Sequence, residues 1–520
     1  MVNIVKRGVQ IAKIGAAARK LKNSRSDAEK LLARRALANL FADARGGVMK
    51  IGQLMAGQND DNPFADLAAG VEPLPLAEMI PVIEDGVGCS LSDVFSEIDE
   101  SGAAASLGQV HHARLKDGTE VAIKAQYPGI DKAVAAELTL AGLMPGIGPV
   151  RKWGFDLAGY KSALKENMDR ELDYRNEAVR QSRYRAQVTV PGLVVPAVYE
   201  DLTSKRVLVQ EWRTGVRFAD LEHWTQRDRD GVGRILLATL FKSLFDAGEV
   251  HGDPHPGNSC YLKSPKGDPL VVLMDYGCTA SVSERQRLAL LNLILSLRGE
   301  AGAVSPLRAF AGMGFDAQKL SAIAESLPQL AKILLTPFLA DRPFKITDWD
   351  LKTRFEALLG ENRWWFRAAG APGDILLLRA FQGVVQQLDQ LSAALDWMKI
   401  LSETVSKEIF EQARDFTPPS LPAGVTEKAS APVTSAHAPL AKHLRVEVHE
   451  RDKRIVSVTM PAAAAMNLRD LVPEDVLALI EASDDIDLDA ILDRLAANGL
   501  QSQNILTFQK PPKHYRIWLT

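Results

Sequence analysis

Apolar residues recur along this chain with two spacings, one typical of strands and one typical of helices. A β-type run at 121–124 follows a turn at 116–118, which predicts two strands joined by a hairpin between residues 103 and 126. Apolar runs at 207–210 and 271–274 predict two further strands. Spacings of three and four residues predict helices at 28–58, 131–142, 156–187 and 284–400. The last of these stretches predicts an all-helical half.

A smaller unit is predicted after a proline-rich segment. Prolines among Ala, Ser and Thr mark a linker at 416–440. The elements predicted beyond it are a hairpin at 444–458, a helix from Pro473, a helix ending at Gly499, and strands at 505–508 and 515–519. Residues 441–520 are therefore predicted to form a small α+β domain without a chemical motif, serving as an interaction module or a cap.

Composition and charge narrow the class of protein. The 520 residues are 46% hydrophobic and 24% charged, which excludes disordered and collagenous chains. The 62 basic and 65 acidic residues give a net charge of −3, and this balance argues against a nucleic-acid partner. Three cysteines without CxxC spacing exclude a disulfide scaffold and favour a reducing compartment. Because no run of about 18 apolar residues occurs, no transmembrane segment is predicted.

The first segment differs in charge from the rest of the chain. Residues 1–26 contain seven Lys or Arg and no acidic residue, with apolar residues between them. A basic amphipathic helix of this kind can lie on an anionic membrane surface. A solvated helical lead-in fits the same pattern, because the apolar face has no aromatic anchor. Two interpretations therefore remain open for the helical extension at 1–45. It either makes peripheral membrane contact through residues 1–26 or is a solvated lead-in.

Five polar residues occur in an order that suggests phosphoryl transfer. That chemistry needs a fixed cation on the phosphates, a carboxylate that orients the cation, oxygen ligands for Mg²⁺, and an Asp beside the attacking group. Lys124 ends a predicted strand and Glu177 lies in a predicted helix, so we expect this pair to position the phosphates. Asp253 is expected to align the nucleophile. Asn258, five residues later, and Asp275, in an Asp-Tyr-Gly segment, are expected to hold Mg²⁺ at the spacings known from kinases.

Further motifs extend this pattern along the chain. They are Lys50-Ile51-Gly52-Gln53, Ala103-Ala104-Ala105-Ser106, the pair Glu171 and Asp173, and the segment from Leu376 to Ala380. With these motifs, residues 45–395 resemble the UbiB/ADCK (AarF-type) family of atypical kinases, which is tied to coenzyme Q metabolism. The resemblance implies the α+β class and a bilobal protein-kinase-like domain at 46–415. Its N-lobe is expected to reach about residue 210, and its helical C-lobe to begin at about 213.

The resemblance also implies roles for the motif residues. The Ala103–Ser106 loop stands where ordinary kinases have glycines over the phosphates, and its methyl groups imply a different approach to the nucleotide. The helix that carries Lys50 and Gln53 is implied to fold over the active site, close to Glu171 and Asp173, and to occlude protein substrates. At the lobe boundary, backbone groups of Glu211 are expected to bind adenine.

The function implied by the resemblance is an atypical kinase or ATPase. It would bind ATP with Mg²⁺, hydrolyse it slowly, and support ubiquinone or related isoprenoid-lipid metabolism through a quinone-type lipid or its biosynthetic proteins. The expected location is the cytoplasm or the mitochondrial matrix, peripheral at the inner membrane. His255 stands where protein kinases commonly carry a lysine, and a similar loop occurs in aminoglycoside phosphotransferases. A small-molecule kinase acting on a lipid-like hydroxyl therefore stays open, as does a nucleotide-gated scaffold without catalysis.

Overall fold

The computed structural model describes residues 73–105, 107–131, 134, 157–425, 441, 443–450, 453–471, 490–492, 503–510 and 513–520. Several predictions lie outside these residues. They are the extension at 1–45, Lys50, Gln53, Ser106, most of the helix at 131–142, the linker from 426 to 440, the helix from Pro473 and most of the helix ending at Gly499. These stay predictions.

The strands, in chain order, are β1 (Phe95–Ile98), β2 (Ala103–Ala104), β3 (Gly108–Leu115), β4 (Glu120–Gln126), β5 (Leu193–Val194), β6 (Val207–Glu211), β7 (Glu249–His251), β8 (Ser259–Lys263), β9 (Pro269–Leu273), β10 (Thr279–Ser281), β11 (Phe344–Lys345), β12 (Ala394–Leu395), β13 (His443–Glu450), β14 (Lys453–Pro461), β15 (Gln503–Lys510) and β16 (Lys513–Leu519). The predicted strands at 207–210 and 271–274 correspond to β6 and β9, so both are confirmed.

The α-helices, in chain order, are α1 (Leu76–Val87), α2 (Leu91–Val94), α3 (Leu157–Glu171), α4 (Tyr174–Gln187), α5 (Gln226–Phe241), α6 (Glu284–Arg298), α7 (Pro306–Gly312), α8 (Ala317–Ser321), α9 (Leu327–Leu334), α10 (Thr336–Leu339), α11 (Leu351–Leu359), α12 (Arg363–Ala369), α13 (Ile375–Gln390), α14 (Trp397–Thr404), α15 (Lys407–Asp415) and α16 (Leu468–Leu471).

The N-lobe is built on a five-stranded antiparallel sheet. Its order is β1-β3-β4-β6, and β2 pairs with β3. The turn between β3 and β4 forms where the sequence predicts it, because Gly118 adopts a φ of 91° and Asp117 Oδ1 accepts a hydrogen bond from the N–H of Thr119 (2.9 Å). The hairpin prediction is therefore confirmed. Alternate side chains of β4, Val121 and Ile123, are fully buried in the N-lobe core.

The helical stretch predicted at 156–187 is interrupted. Asp173 has non-helical backbone angles (φ −127°, ψ 98°), and its side chain accepts a hydrogen bond from the N–H of Arg175. Asp173 is thus the N-cap of α4, which separates α4 from α3. The break was not predicted, because the apolar spacing continues through it. Its consequence is that α4 starts in a new direction, with Glu177 in its first turn.

Short strands in the C-lobe bring together the loop after β7 and the loop after β9. Helix α5 continues into a π-helix at Lys242–Ala247 and ends at Gly248, whose φ of 67° turns the chain into β7. Strand β7 pairs with β10, with His251 opposite Thr279. Strands β8 and β9 form an antiparallel pair, and β5 adds to β9 in parallel. The loop after β7 and the loop after β9 therefore lie side by side.

The remainder of the C-lobe is mainly helical, with one exception to the prediction. Helices α6 to α14 occupy most of the stretch 284–400, but β11 and β12 pair within it, with Phe344 opposite Leu395. The all-helical prediction is wrong there. Ser392 has a φ of 52°, a left-handed conformation that ends the helical run after α13, and Phe344 is buried against the core. A sheet-rich lobe followed by a helical lobe confirms the predicted α+β, kinase-like fold class.

A four-stranded antiparallel sheet forms the last part of the described chain. Its order is β14-β13-β16-β15. The predicted hairpin at 444–458 is confirmed by β13 and β14, and the predicted final strands by β15 and β16. Among the described residues, no helix is both long enough and apolar enough to cross a bilayer.

Candidate active site

Lys124 lies where the two lobes meet and contacts two carboxylates. Its Nζ is 2.7 Å from Glu177 Oε1 and 3.2 Å from Asp275 Oδ1, and it lies 5.1 Å from the centre of the Tyr174 ring. Burial alone would lower the pKa of this ammonium, but the negative charges of Asp275 and Glu177 outweigh burial and raise the pKa well above its ordinary value. Lys124 therefore stays charged and joins a strand of the N-lobe to helix α4 and to the loop after β9.

Glu177 connects helix α4 to the same loop. Its Oε1 accepts hydrogen bonds from Lys124 Nζ and from the N–H of Tyr276 (3.3 Å). Burial raises the pKa of Glu177 to about 7, although the charge of Lys124 opposes the rise. The carboxylate thus orients the lysine, which is the arrangement that the sequence suggested for this pair.

The Asp-Tyr-Gly loop is held in an uncommon backbone conformation. Asp275 has a φ of 64°, a region that residues other than glycine rarely adopt. His251 Nε2 donates a hydrogen bond to the backbone oxygen of Asp275 (2.7 Å). Burial lowers the pKa of His251, so the imidazole is neutral at pH 7 with its proton on Nε2. Gly277 closes the turn by donating its N–H to Asp275 Oδ1 (3.2 Å).

Three carboxyl side chains converge beside Gly277. A Cβ placed on Gly277 would lie 3.2 Å from Asp275 Oδ1, 3.4 Å from Glu177 Oε2 and 3.6 Å from Glu171 Cγ. Glu171 is only 6% exposed, so it lies inside this cluster rather than on the surface of α3. The glycine leaves open the space between these groups, and a side chain at position 277 would fill it.

The loop after β7 holds Asp253 and Asn258 in one hydrogen-bonded turn. Asn258 Nδ2 donates a hydrogen bond to the backbone oxygen of Asp253 (3.0 Å), and the backbone oxygen of Asn258 accepts one from the N–H of Met274 (2.8 Å). Because the amide nitrogen is engaged, Oδ1 of Asn258 is the atom available as a metal ligand. The bond to Met274 places Asn258 next to Asp275. The donor chemistry of these two oxygen-bearing residues fits Mg²⁺.

Arg379 is a site residue that the sequence pattern did not single out. Its Nη2 donates to Asp253 Oδ1 at 2.6 Å, and both side chains are largely buried, with 17% and 12% exposed. The segment from Leu376 to Ala380 stands out as a motif, but the pattern attaches no role to its arginine. A cation inside an apolar segment was the available signal. The partner of Arg379, which lies 126 positions earlier, left no trace in the local pattern.

The alanine-rich segment lies on the same sheet as Lys124. Ala103 pairs with Val110 of β3, and Val110 pairs with Lys124 of β4, so the three side chains share one face of the sheet. Ala104 pairs with Gln109 and belongs to the opposite face. Beyond β2, the N–H of Ala105 bonds to the backbone oxygen of Gly108 (2.8 Å), which closes a tight turn. Strand β2 lies at the edge of the sheet and is separated from Lys124 by β3, a position compatible with a loop over a nucleotide.

The two remaining expectations need closer description. The N–H of Glu211 donates to the backbone oxygen of Ala197 (2.8 Å), and the Glu211 carboxylate forms an ion pair with Arg213. Adenine binding by that N–H would require this bond to open, so the adenine role stays a prediction. Asp173 forms a two-point ion pair with Arg175, whose hydrogen bonds lower the Asp173 pKa. Of the pair Glu171 and Asp173, only the glutamate joins the carboxyl cluster.

Comparison with known proteins places this site in a family. Residues 66–300 match the model of the ABC1 atypical kinase-like domain. AarF domain-containing protein kinase 1 of Xenopus tropicalis is 32% identical over 265 residues, which cover 48% of this chain and 50% of that protein. Protein ACTIVITY OF BC1 COMPLEX KINASE 1, chloroplastic, of Arabidopsis thaliana is 31% identical over 276 residues, covering 50% and 40%. Atypical kinase coq-8, mitochondrial, of Caenorhabditis elegans is 27% identical over 262 residues, covering 48% and 35%.

The fold and the cluster of Lys124, Glu177 and Asp275 define a kinase-like domain. The match of residues 66–300 to the ABC1 atypical kinase-like domain confirms the predicted resemblance to AarF-type kinases. The matched stretch contains Lys124, Glu177, Asp253, Asn258 and Asp275. The chain spans half or less of the length of these relatives.

Proposed function

We propose that the protein binds ATP with Mg²⁺ between its two lobes and hydrolyses it slowly. The observation that carries this proposal is the contact of Lys124 with both Glu177 and Asp275, at 2.7 Å and 3.2 Å. Phosphate binding requires a fixed cation at such a position, beside the residues that hold the metal. Asn258 and Asp275 would hold Mg²⁺, which neutralises phosphate charge when bound, and Asp253 would align the attacking water.

Slow hydrolysis, rather than fast transfer to a protein, is supported by the loop after Asp253. His255 replaces the lysine common in protein kinases, and its Nδ1 accepts a hydrogen bond from the N–H of Gly257 (3.0 Å). This nitrogen is therefore not a cation directed at a phosphate. The family resemblance implies that the helix carrying Lys50 and Gln53 covers the site. Such a cover would also exclude a protein substrate. ATP hydrolysis would then support the metabolism of a quinone-type lipid, through the lipid itself or through its biosynthetic proteins.

The proposal is tested with the full chain and Mg²⁺-ATP, by measuring release of inorganic phosphate. We expect slow turnover with Mg²⁺, none with EDTA, and loss of turnover in Asp275→Asn. Asp341→Asn is the matched control, because the Asp341 side chain is 92% exposed and lies beside Arg298 rather than Lys124. Liposomes and a phenolic quinone mimic are expected to raise the rate. Nucleotide binding without turnover in every condition would contradict an enzyme and favour a scaffold.

A second outcome of the same assay identifies a small-molecule kinase. Labelled ATP would then transfer its γ-phosphoryl group stoichiometrically to the added phenol instead of releasing phosphate. Membrane contact through residues 1–26 is tested separately by sedimentation with anionic vesicles. Replacing Lys6, Lys13 and Lys20 with glutamate in the full chain should abolish cosedimentation, since the attraction is electrostatic. Unchanged binding of this variant would contradict the membrane interpretation.

A further inference from the structure

The two terminal nitrogens of Arg379 differ, since Nη2 is engaged and Nη1 has no partner among the residues that the structure describes. Nη2 donates to Asp253 Oδ1, whereas Nη1 is out of contact with solvent and makes no hydrogen bond to any part of the chain that the structure describes. A buried N–H of a charged group that lacks an acceptor is unfavourable, because the group has lost its hydrogen bonds to water without gaining one in the protein. Such groups are uncommon in folded proteins, and a catalytic role or a bound ion is among the explanations for them.

Helix α13, which carries Arg379, packs against the loop that carries Asp253. Gln387, two turns after Arg379, donates through Nε2 to the backbone oxygen of Pro254 (2.7 Å) and accepts a hydrogen bond from Tyr261 (3.2 Å). At the start of the helix, the close packing of Leu376 leaves only 3.2 Å for a Cβ on Gly252. Helix α13 thus contacts the loop on both sides of Asp253, so the backbone that carries Arg379 is held against this loop.

Arg379 also supplies a positive charge beside Asp253, at a site where the loop after β7 has His255 instead of a lysine. The Nδ1 of His255, at the usual position of the loop lysine, accepts a hydrogen bond from within its own turn. A guanidinium is always protonated and can bind two oxygens at once through its fork of N–H groups. It can therefore hold a carboxylate on one nitrogen and a phosphoryl oxygen on the other.

We propose that Arg379 is a catalytic residue that binds an oxygen of the γ-phosphoryl group through Nη1 while Nη2 fixes Asp253. The ligand class is a nucleoside triphosphate, and Arg379 distinguishes it from the diphosphate. This inference rests on the proposed function, because it assumes that nucleotide binds beside Lys124. It adds a cation from helix α13, outside the residues that match the family model, to the phosphate site.

The test compares triphosphate and diphosphate binding in Arg379→Gln and Arg379→Lys. Calorimetric titration of the full chain uses a non-hydrolysable ATP analogue and ADP, each with Mg²⁺. Arg379→Gln should weaken binding of the triphosphate analogue about tenfold or more, while ADP affinity changes less than about twofold, since only the triphosphate has the contacted group. Arg234→Gln, which removes a surface ion pair with Glu403, is the matched control and should bind both like the wild type.

Arg379→Lys keeps the charge and guards against misfolding of the glutamine variant. An ammonium cannot bridge the carboxylate and the phosphoryl group in the way a fork does, so this variant should also lose triphosphate preference while its melting temperature stays near that of the wild type. Equal weakening of both nucleotides, or no change in either, would overturn the inference. Wild-type protein that binds and hydrolyses ATP alongside an unaltered Arg379→Gln variant would overturn this inference alone. Failure of the wild type to bind either nucleotide would overturn the proposed function together with it.

Discussion

The two aspartates of the site are held in different ways. Asp275 lies in a cluster, where Lys124 also contacts Glu177 and where Glu171 and Glu177 approach Gly277. Asp253 forms an ion pair with Arg379. A lysine among several carboxylates leaves an environment rich in oxygen ligands, which suits a metal ion. The hydrogen bond from Arg379 Nη2 instead fixes the direction of the Asp253 carboxylate, which suits alignment of a nucleophile. Similar residue types thus acquire different tasks through the number and geometry of their partners.

The largest expected effect tests how strongly the Asp275 cluster depends on its cation. Lys124→Met leaves the buried Glu177 without its partner, and we expect a loss of roughly 3–5 kcal/mol in the free energy of unfolding. Urea unfolding measures this loss. The double variant Lys124→Met/Glu177→Gln should recover part of it, because the uncompensated charge is gone. A double variant less stable than Lys124→Met would show that the pair is not the source of the effect.

The pH dependence of stability gives the next effect. The pKa of Glu177 is about 7 in the native state, against 4.5 as its ordinary value, so the native state binds more protons than the unfolded chain between these values. The contribution of Glu177 to stability is therefore present at low pH and lost as pH rises towards 7, by up to about 1.4 kcal/mol per pH unit.

This pH effect is measured by urea unfolding of wild type and Glu177→Gln between pH 5 and pH 8. The stability of the wild type relative to the variant should fall as pH rises through this window, because glutamine does not titrate. Parallel curves for the two proteins would mean that Glu177 does not carry the proton.

Two glycine substitutions test whether Asp275 and Asp253 have different roles. Gly277→Ala places a methyl group among the carboxyls around Asp275, so affinity for Mg²⁺-nucleotide should fall about tenfold while metal-free nucleotide binding is unchanged. Gly252→Ala presses on Leu376 of α13 and should lower kcat without changing the metal dependence. Gly373→Ala, with open space around its Cα, is the control for both. Identical effects of the first two variants on metal affinity would remove the distinction between the aspartates.

The smallest expected effect tests whether Asp173 lies outside the Asp275 cluster. Asp173→Ala removes the N-cap of α4 and should cost about 1 kcal/mol of stability, seen as a lower melting temperature, with Mg²⁺-nucleotide affinity unchanged. Arg175→Gln keeps the cap and removes an exposed ion pair, so its melting temperature should stay near that of the wild type. If Asp173→Ala instead lost nucleotide affinity at full stability, Asp173 would belong to the site beside Glu171.

Local pattern predicted some elements well and others poorly. The hairpin of β3 and β4 was predictable because a Gly-containing turn and a β-type run are local signals. The break at Asp173 was not, since its cause is a cap that competes with a continuing helical pattern. The pairing of β11 with β12 joins residues about 50 positions apart, and strands of two residues have no period to detect.

The sequence by itself determined which residues could carry phosphate chemistry and in what order, because residue type and spacing are local properties. Lys124, Glu177, Asp253, Asn258 and Asp275 were all identified in this way. The tertiary structure alone decided which side chains meet. It placed Glu171 inside the carboxyl cluster and Asp173 at a helix cap, engaged the N–H of Glu211, and brought Arg379 to Asp253. The physical reason is that burial and hydrogen bonds act through contacts between distant segments, which no periodicity along the chain encodes.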